Sequence, residues 1–86
     1  MVASYNRIFK KMFKKQPVWL QDKFEERLLL FAQNKHHPVL NNHGLGGKWA
    51  GCKSINITGD IRAVFEELSN DHIEFVAIGS HSELYS

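Results

Sequence analysis

The chain has 86 residues and a mass of 9.9 kDa, which is enough for one domain over residues 1–86 and too little for a multidomain enzyme. Hydrophobic residues make up 43% and charged residues 23%, which excludes the apolar-poor composition of a disordered chain, and the net charge is a modest +2. Cys52 is the only cysteine, so an internal disulfide is excluded, and no apolar run approaches the roughly 18 residues that a membrane span needs.

The first sixteen residues hold Arg7, Lys10, Lys11, Lys14 and Lys15 and no acid, a local charge of +5. Two lysines interrupt its first apolar stretch, so this start does not read as a secretory signal, and a cytoplasmic location is expected. A short strand is predicted over Val2 to Asn6, then a basic helical stretch in which Ile8, Phe9, Met12 and Phe13 recur at helical spacing. Pro17 is expected in the first turn of a second helix, where its missing N–H is no loss. Leu20, Phe24, Leu28 and Phe31 form that helix's apolar stripe, opposite Asp22, Glu25 and Glu26, and the helix should end between Asn34 and Pro38.

From His36 to Gly47 the sequence is polar and glycine-rich, which predicts a loop. The period then changes to two. A strand is expected from Lys53 to Thr58, with Lys53, Ile55 and Ile57 on one face, and Gly59 with Asp60 should turn the chain. A second strand follows from Ile61 to Glu67, a turn at Ser69 to Asp71, and a third strand from His72 to Ile78, before a tail from Ser80 to Ser86. The segment Lys35 to Val64 carries +3, and the tail from Phe65 carries −5. The expected fold is α+β: two N-terminal helices packed on one face of an antiparallel-rich sheet of three to four strands, with the other face partly open.

Five histidines are a heavy load for so short a chain. His36, His37 and His72 read as surface residues, and the spacing of His36, His37 and His43 fits no usual zinc pattern, so no metal or other cofactor is expected. His43 and His81 differ, because each lies among glycines and polar residues at the rim of the predicted sheet, where an imidazole can be half exposed. Asp60 and Arg62 are two apart and share a face. As residues alone they fit either a rim ion pair or an acid/base group beside a phosphate-binding cation.

The run from His43 to Phe65, with Gly44, Gly46, Gly47, Lys48, Trp49, Asp60 and Arg62, resembles the central segment of bacterial toxins of the RelE/ParE superfamily, YafQ-like branch. The ending Gly79-Ser80-His81-Ser82-Glu83-Leu84-Tyr85 is similar to that branch's terminal pattern of glycine, small residue, histidine and, four residues later, an aromatic. The resemblance implies a small RelE-like fold and the toxin of a type II toxin–antitoxin pair. Such a toxin is a ribosome-dependent endoribonuclease that cuts mRNA without a metal. Position by position, it implies His81 as general acid, His43 or Asp60 as general base, and Arg62 on the scissile phosphate, with Lys53 where an arginine is usual. Tyr85 would stack a base, and Lys10, Lys11, Lys14 and Lys15 would hold RNA backbone. The implied partners are the ribosome, mRNA and a cognate antitoxin, a small DNA-binding protein through which alone operator DNA is met; no membrane is involved. Asn56 stands where the pattern has another histidine, Cys52 where a tyrosine is common and Ile61 where a tryptophan occurs. Two further readings stay open: a noncatalytic ParE-like inhibitor of DNA gyrase and, because asparagine cannot shuttle protons, a decayed toxin that still binds its antitoxin.

Overall fold

A computed structural model describes residues 1–86. Strand β1 (Val2–Tyr5) leads into helix α1 (Arg7–Lys14), which begins where the Asn6 side chain accepts a hydrogen bond from the Phe9 N–H at 2.8 Å. Asn6 is therefore a cap and not the end of the strand. Helix α2 (Val18–Gln33) starts one residue later than expected: Pro17 sits just outside it, with extended ψ of 154°, and its carbonyl accepts from Leu20 and Gln21. Leu20, Phe24 and Phe31 of the predicted stripe are buried, and Leu28 is half-buried.

The polar stretch after α2 is more structured than expected. It contains a single 3₁₀ turn (Pro38–Leu40), a two-residue strand β2 (His43–Gly44) and a second 3₁₀ turn (Gly47–Trp49). Gly47, with φ of 57°, adopts a left-handed conformation that L side chains rarely take. Strands β3 (Lys53–Asn56), β4 (Ile61–Ser69) and β5 (His72–Ser80) form the expected antiparallel meander. Strand β3 ends at Asn56 and not at Thr58, because the N–H groups of Ile57 and Thr58 both turn onto the Ile61 carbonyl.

The sheet has five strands in the order β1-β5-β4-β3-β2, against the three to four expected. Strand β1 adds in parallel to β5, Val2 against His72 through Tyr5 against Phe75, and the chain then crosses over through the two helices. On the helix side, Phe9, Leu20, Phe24 and Phe31 pack against Ile55, Ala63, Phe65, Ile73, Phe75 and Ile78. Phe24 and Phe75 lie at its centre, edge to face with centroids 5.2 Å apart.

The tail is not a loop. Residues His81–Tyr85 form helix α3, held by a reciprocal capping box in which Ser80 and Glu83 each bond the other's backbone N–H. It covers part of the second sheet face, where Val64, Ala77 and Leu84 make a smaller core with Trp49, Leu45, Cys52 and Val76 against it. A bulge supplies that face. Val64 pairs with Ala77 but Phe65 pairs with Phe75, so Val76 is an extra residue, and both Val76 and Ala77 join the second core.

Candidate active site

Directly paired residues of an antiparallel sheet project from the same face, so the register itself assembles the site. His43 pairs with Ser54, and Ser54 with Val64, which pairs with Ala77. One step along, Asn56 pairs with Arg62 and Arg62 with Gly79. His43, Ser54, Asn56 and Arg62 therefore share the sheet face that α3 partly covers. Asp60 and His81 each lie one residue beyond the Ile61–Ser80 pair that closes the β4–β5 ladder, Asp60 in the turn before β4 and His81 at the start of α3. Of the predicted residues, His43 and Arg62 thus share one sheet face, and Asp60 and His81 follow just past the end of the ladder that carries Arg62.

His43, Asp60 and His81 are each positioned by a local device. His43 Nδ1 lies 2.7 Å from the Asn41 carbonyl oxygen, which can only accept, so Nδ1 carries a proton and Nε2 is the ring nitrogen left without a partner in the fold. Asn41 adopts φ of 46°, the left-handed conformation that asparagine tolerates, and so closes the turn that aims this carbonyl. Asp60 is exposed in a turn pinned by Thr58, whose Oγ1 accepts from the N–H groups of Asp60 (3.2 Å) and Ile61 (2.9 Å). His81 is the first residue of α3, and its exposed ring packs on Tyr85 with centroids 4.7 Å apart. The Trp49 indole N–H donates to the Leu84 carbonyl at 2.9 Å, which fixes α3 to the glycine-rich turn.

This face holds side-chain atoms that the fold leaves unsatisfied. Ser54 Oγ, Asn56 Oδ1 and Arg62 Nε are buried without a hydrogen-bond partner. A buried donor or acceptor left unpaired costs roughly 1–3 kcal/mol, so each of these three groups gains from any polar partner brought within reach. Reading the residue types missed Ser54. Lys48 was also missed, although it lies 5.6 Å from the Trp49 ring with Nζ 3.5 Å from the Ser86 carbonyl, a cation beside α3. The cue for Lys48 was its place in the run Gly46-Gly47-Lys48-Trp49.

The other predicted contacts fall elsewhere. Lys53 sits on the helix-side face and is tied to Glu67 by a 2.7 Å ion pair, so the structure separates it from Arg62. That hydrogen bond from Lys53 holds the Glu67 carboxyl below its ordinary range. Lys10, Lys11 and Lys14 border a groove of about 550 Å³ between α1 and α2, floored by Tyr5, Phe9, Phe13 and Phe24, while Lys15 is exposed just past α1. Burial, and then the nearby Glu25, push the Tyr5 hydroxyl above its ordinary value. Cys52 lies beneath the second face, and burial followed by the charge of Glu66 raises its thiol pKa, which argues against a nucleophile.

The family model described as "Bacterial toxin of type II toxin-antitoxin system, YafQ" matches residues 1–86. Comparison with curated proteins finds no match. Among solved structures, YafQ from E. coli superposes with a TM-score of 0.81 at 19% identity, over 98% of this chain and 97% of that one. A copper-bound mutant toxin from Helicobacter pylori superposes with a TM-score of 0.74 at 27% identity, over 99% of both chains. YafQ in the E. coli DinJ–YafQ complex gives 0.71 at 21% identity, over 98% of this chain and 97% of that one.

Proposed function

The chain belongs to the YafQ family, the toxins of bacterial type II toxin–antitoxin systems, and from that premise we propose that it is a ribosome-dependent endoribonuclease that cuts mRNA with its own side chains as acid and base. The observation that supports this most is the register that puts His43 and Arg62 on one sheet face, with Asp60 and His81 just past the Ile61–Ser80 end of the ladder. RNA carries its own nucleophile. In the proposed step the 2′-oxygen attacks the adjacent phosphorus and gives its proton to His43 Nε2 or to Asp60. The bond from phosphorus to the 5′-oxygen breaks, and His81 in its protonated form donates a proton to that leaving oxygen. The products are a 2′,3′-cyclic phosphate and a 5′-hydroxyl end. Arg62 meets the negative charge that gathers on the phosphoryl oxygens, and Tyr85, packed on His81, offers a ring face to a base of the unpaired codon.

Ribosome and mRNA meet this face. A second surface serves the antitoxin, a small DNA-binding protein through which operator DNA is reached. The groove between α1 and α2 has an aromatic floor and a rim of Lys10, Lys11 and Lys14, which fits an acidic amphipathic segment with a large apolar anchor.

Primer extension on mRNA from cells briefly expressing the chain, beside the His81→Ala variant, tests the reaction. Discrete in-frame cuts that vanish in the variant are expected. Intact mRNA with arrested growth would instead favour a binding inhibitor such as a gyrase poison, and intact mRNA with normal growth a decayed toxin.

A further inference from the structure

Asn56 and Arg62 are cross-strand partners, and each buries one unpaired polar atom, an acceptor on Asn56 and a donor on Arg62. Cβ atoms of such partners lie about 4.5–5.5 Å apart, so an unpaired acceptor and an unpaired donor stand on adjacent side chains of one face. The reverse amide orientation would set Nδ2 against Nε, two donors face to face. With Oδ1 turned inward, the Nδ2 amide group is the part of Asn56 free to act on the substrate side.

We propose that Asn56 has two linked tasks in this chain: its Oδ1 fixes the Arg62 guanidinium through Nε, and its Nδ2 donates to a phosphoryl oxygen of the bound RNA. This rests on the ribonuclease reading. A phosphodiester has two non-bridging oxygens, and the pair offers donors for both, the outer nitrogens of Arg62 for one and Nδ2 of Asn56 for the other. Neither donor needs to gain or lose a proton. On this account asparagine at position 56 serves charge stabilisation in place of proton transfer, and the two unsatisfied buried atoms are resolved when the substrate draws the pair together.

The test uses ribosomes programmed with an mRNA whose scissile phosphate carries sulfur at one or the other non-bridging oxygen, cleaved by the full-length wild type and by Asn56→Leu and Asn56→Asp. Sulfur is a poor hydrogen-bond acceptor, so wild type should be slowed by either replacement. With the all-oxygen message, Asn56→Leu should be slowed by roughly 10²–10³, the effect of removing one oxyanion donor. In that variant one of the two sulfur penalties should disappear while the other persists. Asn56→Asp keeps the shape and an acceptor for Arg62 but has no Nδ2 donor, so it should lose the same penalty, which separates the result from misfolding. A slowed Asn56→Leu that keeps both penalties would overturn the proposal, as would a variant as fast as wild type. A wild type that leaves the all-oxygen message intact would overturn the ribonuclease reading and this inference with it.

Discussion

Position 52 shows how burial decides between two uses of one side chain. A lone cysteine in a toxin invites a nucleophile, yet Cys52 packs against Val64, Ala77 and Leu84, and its thiol is pushed upward by burial and by Glu66. At neutral pH it is therefore protonated and inert. Iodoacetamide should label the folded protein slowly near pH 7 and faster only in alkaline solution, and Cys52→Ser should cut mRNA as fast as wild type; rapid neutral labelling would contradict this. His43 shows the opposite case. Its residue type alone was ambiguous, and the 2.7 Å contact with a carbonyl is what assigns its proton to Nδ1 and leaves Nε2 free.

At the scale of elements, α3 is the most exposed to change. It has five residues, far short of what is stable alone, and it is kept by its capping box, by Leu84 in the small core and by the bond from Trp49. Ser80→Ala removes the side-chain half of the box and should cost about 1 kcal/mol. For a domain of this size that is a fall in melting temperature of roughly 4–8 °C. Because His81 and Tyr85 ride on α3, cleavage should drop further than the stability loss alone explains, measured by melting and primer extension on the same variant. An unchanged rate would mean that α3 does not need a fixed entry angle.

For the whole molecule, the charge is segregated along the chain: the basic rim of the groove comes from α1, and the −5 charge from the segment after Val64. Reversing Lys11 and Lys14 to Glu should weaken capture of the antitoxin at least tenfold and more so at low salt, measured by titration calorimetry, with thermal stability nearly unchanged because both side chains are exposed. Tyr5 gives the fold a pH limit. Its pKa is raised in the folded state, so the contribution is complete below the ordinary phenol range near 10 and is lost as pH rises through the folded value. Denaturant unfolding should show stability falling above about pH 10 in wild type, and Tyr5→Phe should flatten that fall.

Much of this was legible in the chain itself. The 3.6-residue period of Leu20, Phe24 and Phe31, the two-residue period from Lys53 onward and the turn residues near Gly59 and Asn70 set out α2 and the β3–β5 meander, because local spacing and backbone chemistry dictate them. The two histidine motifs pointed to the family for the same reason, being short and contiguous. Three things were settled only in three dimensions. Strand β1 joins β5 by pairing across about 70 residues, which no local period records. Helix α3 forms because Val64, Ala77 and Trp49 wait on the second face to receive Leu84 and its carbonyl. Which side chains share a face, Ser54 and Asn56 with Arg62 and Lys53 on the other side, follows from strand register, where a shift of a single residue would have sent every one of them to the opposite face.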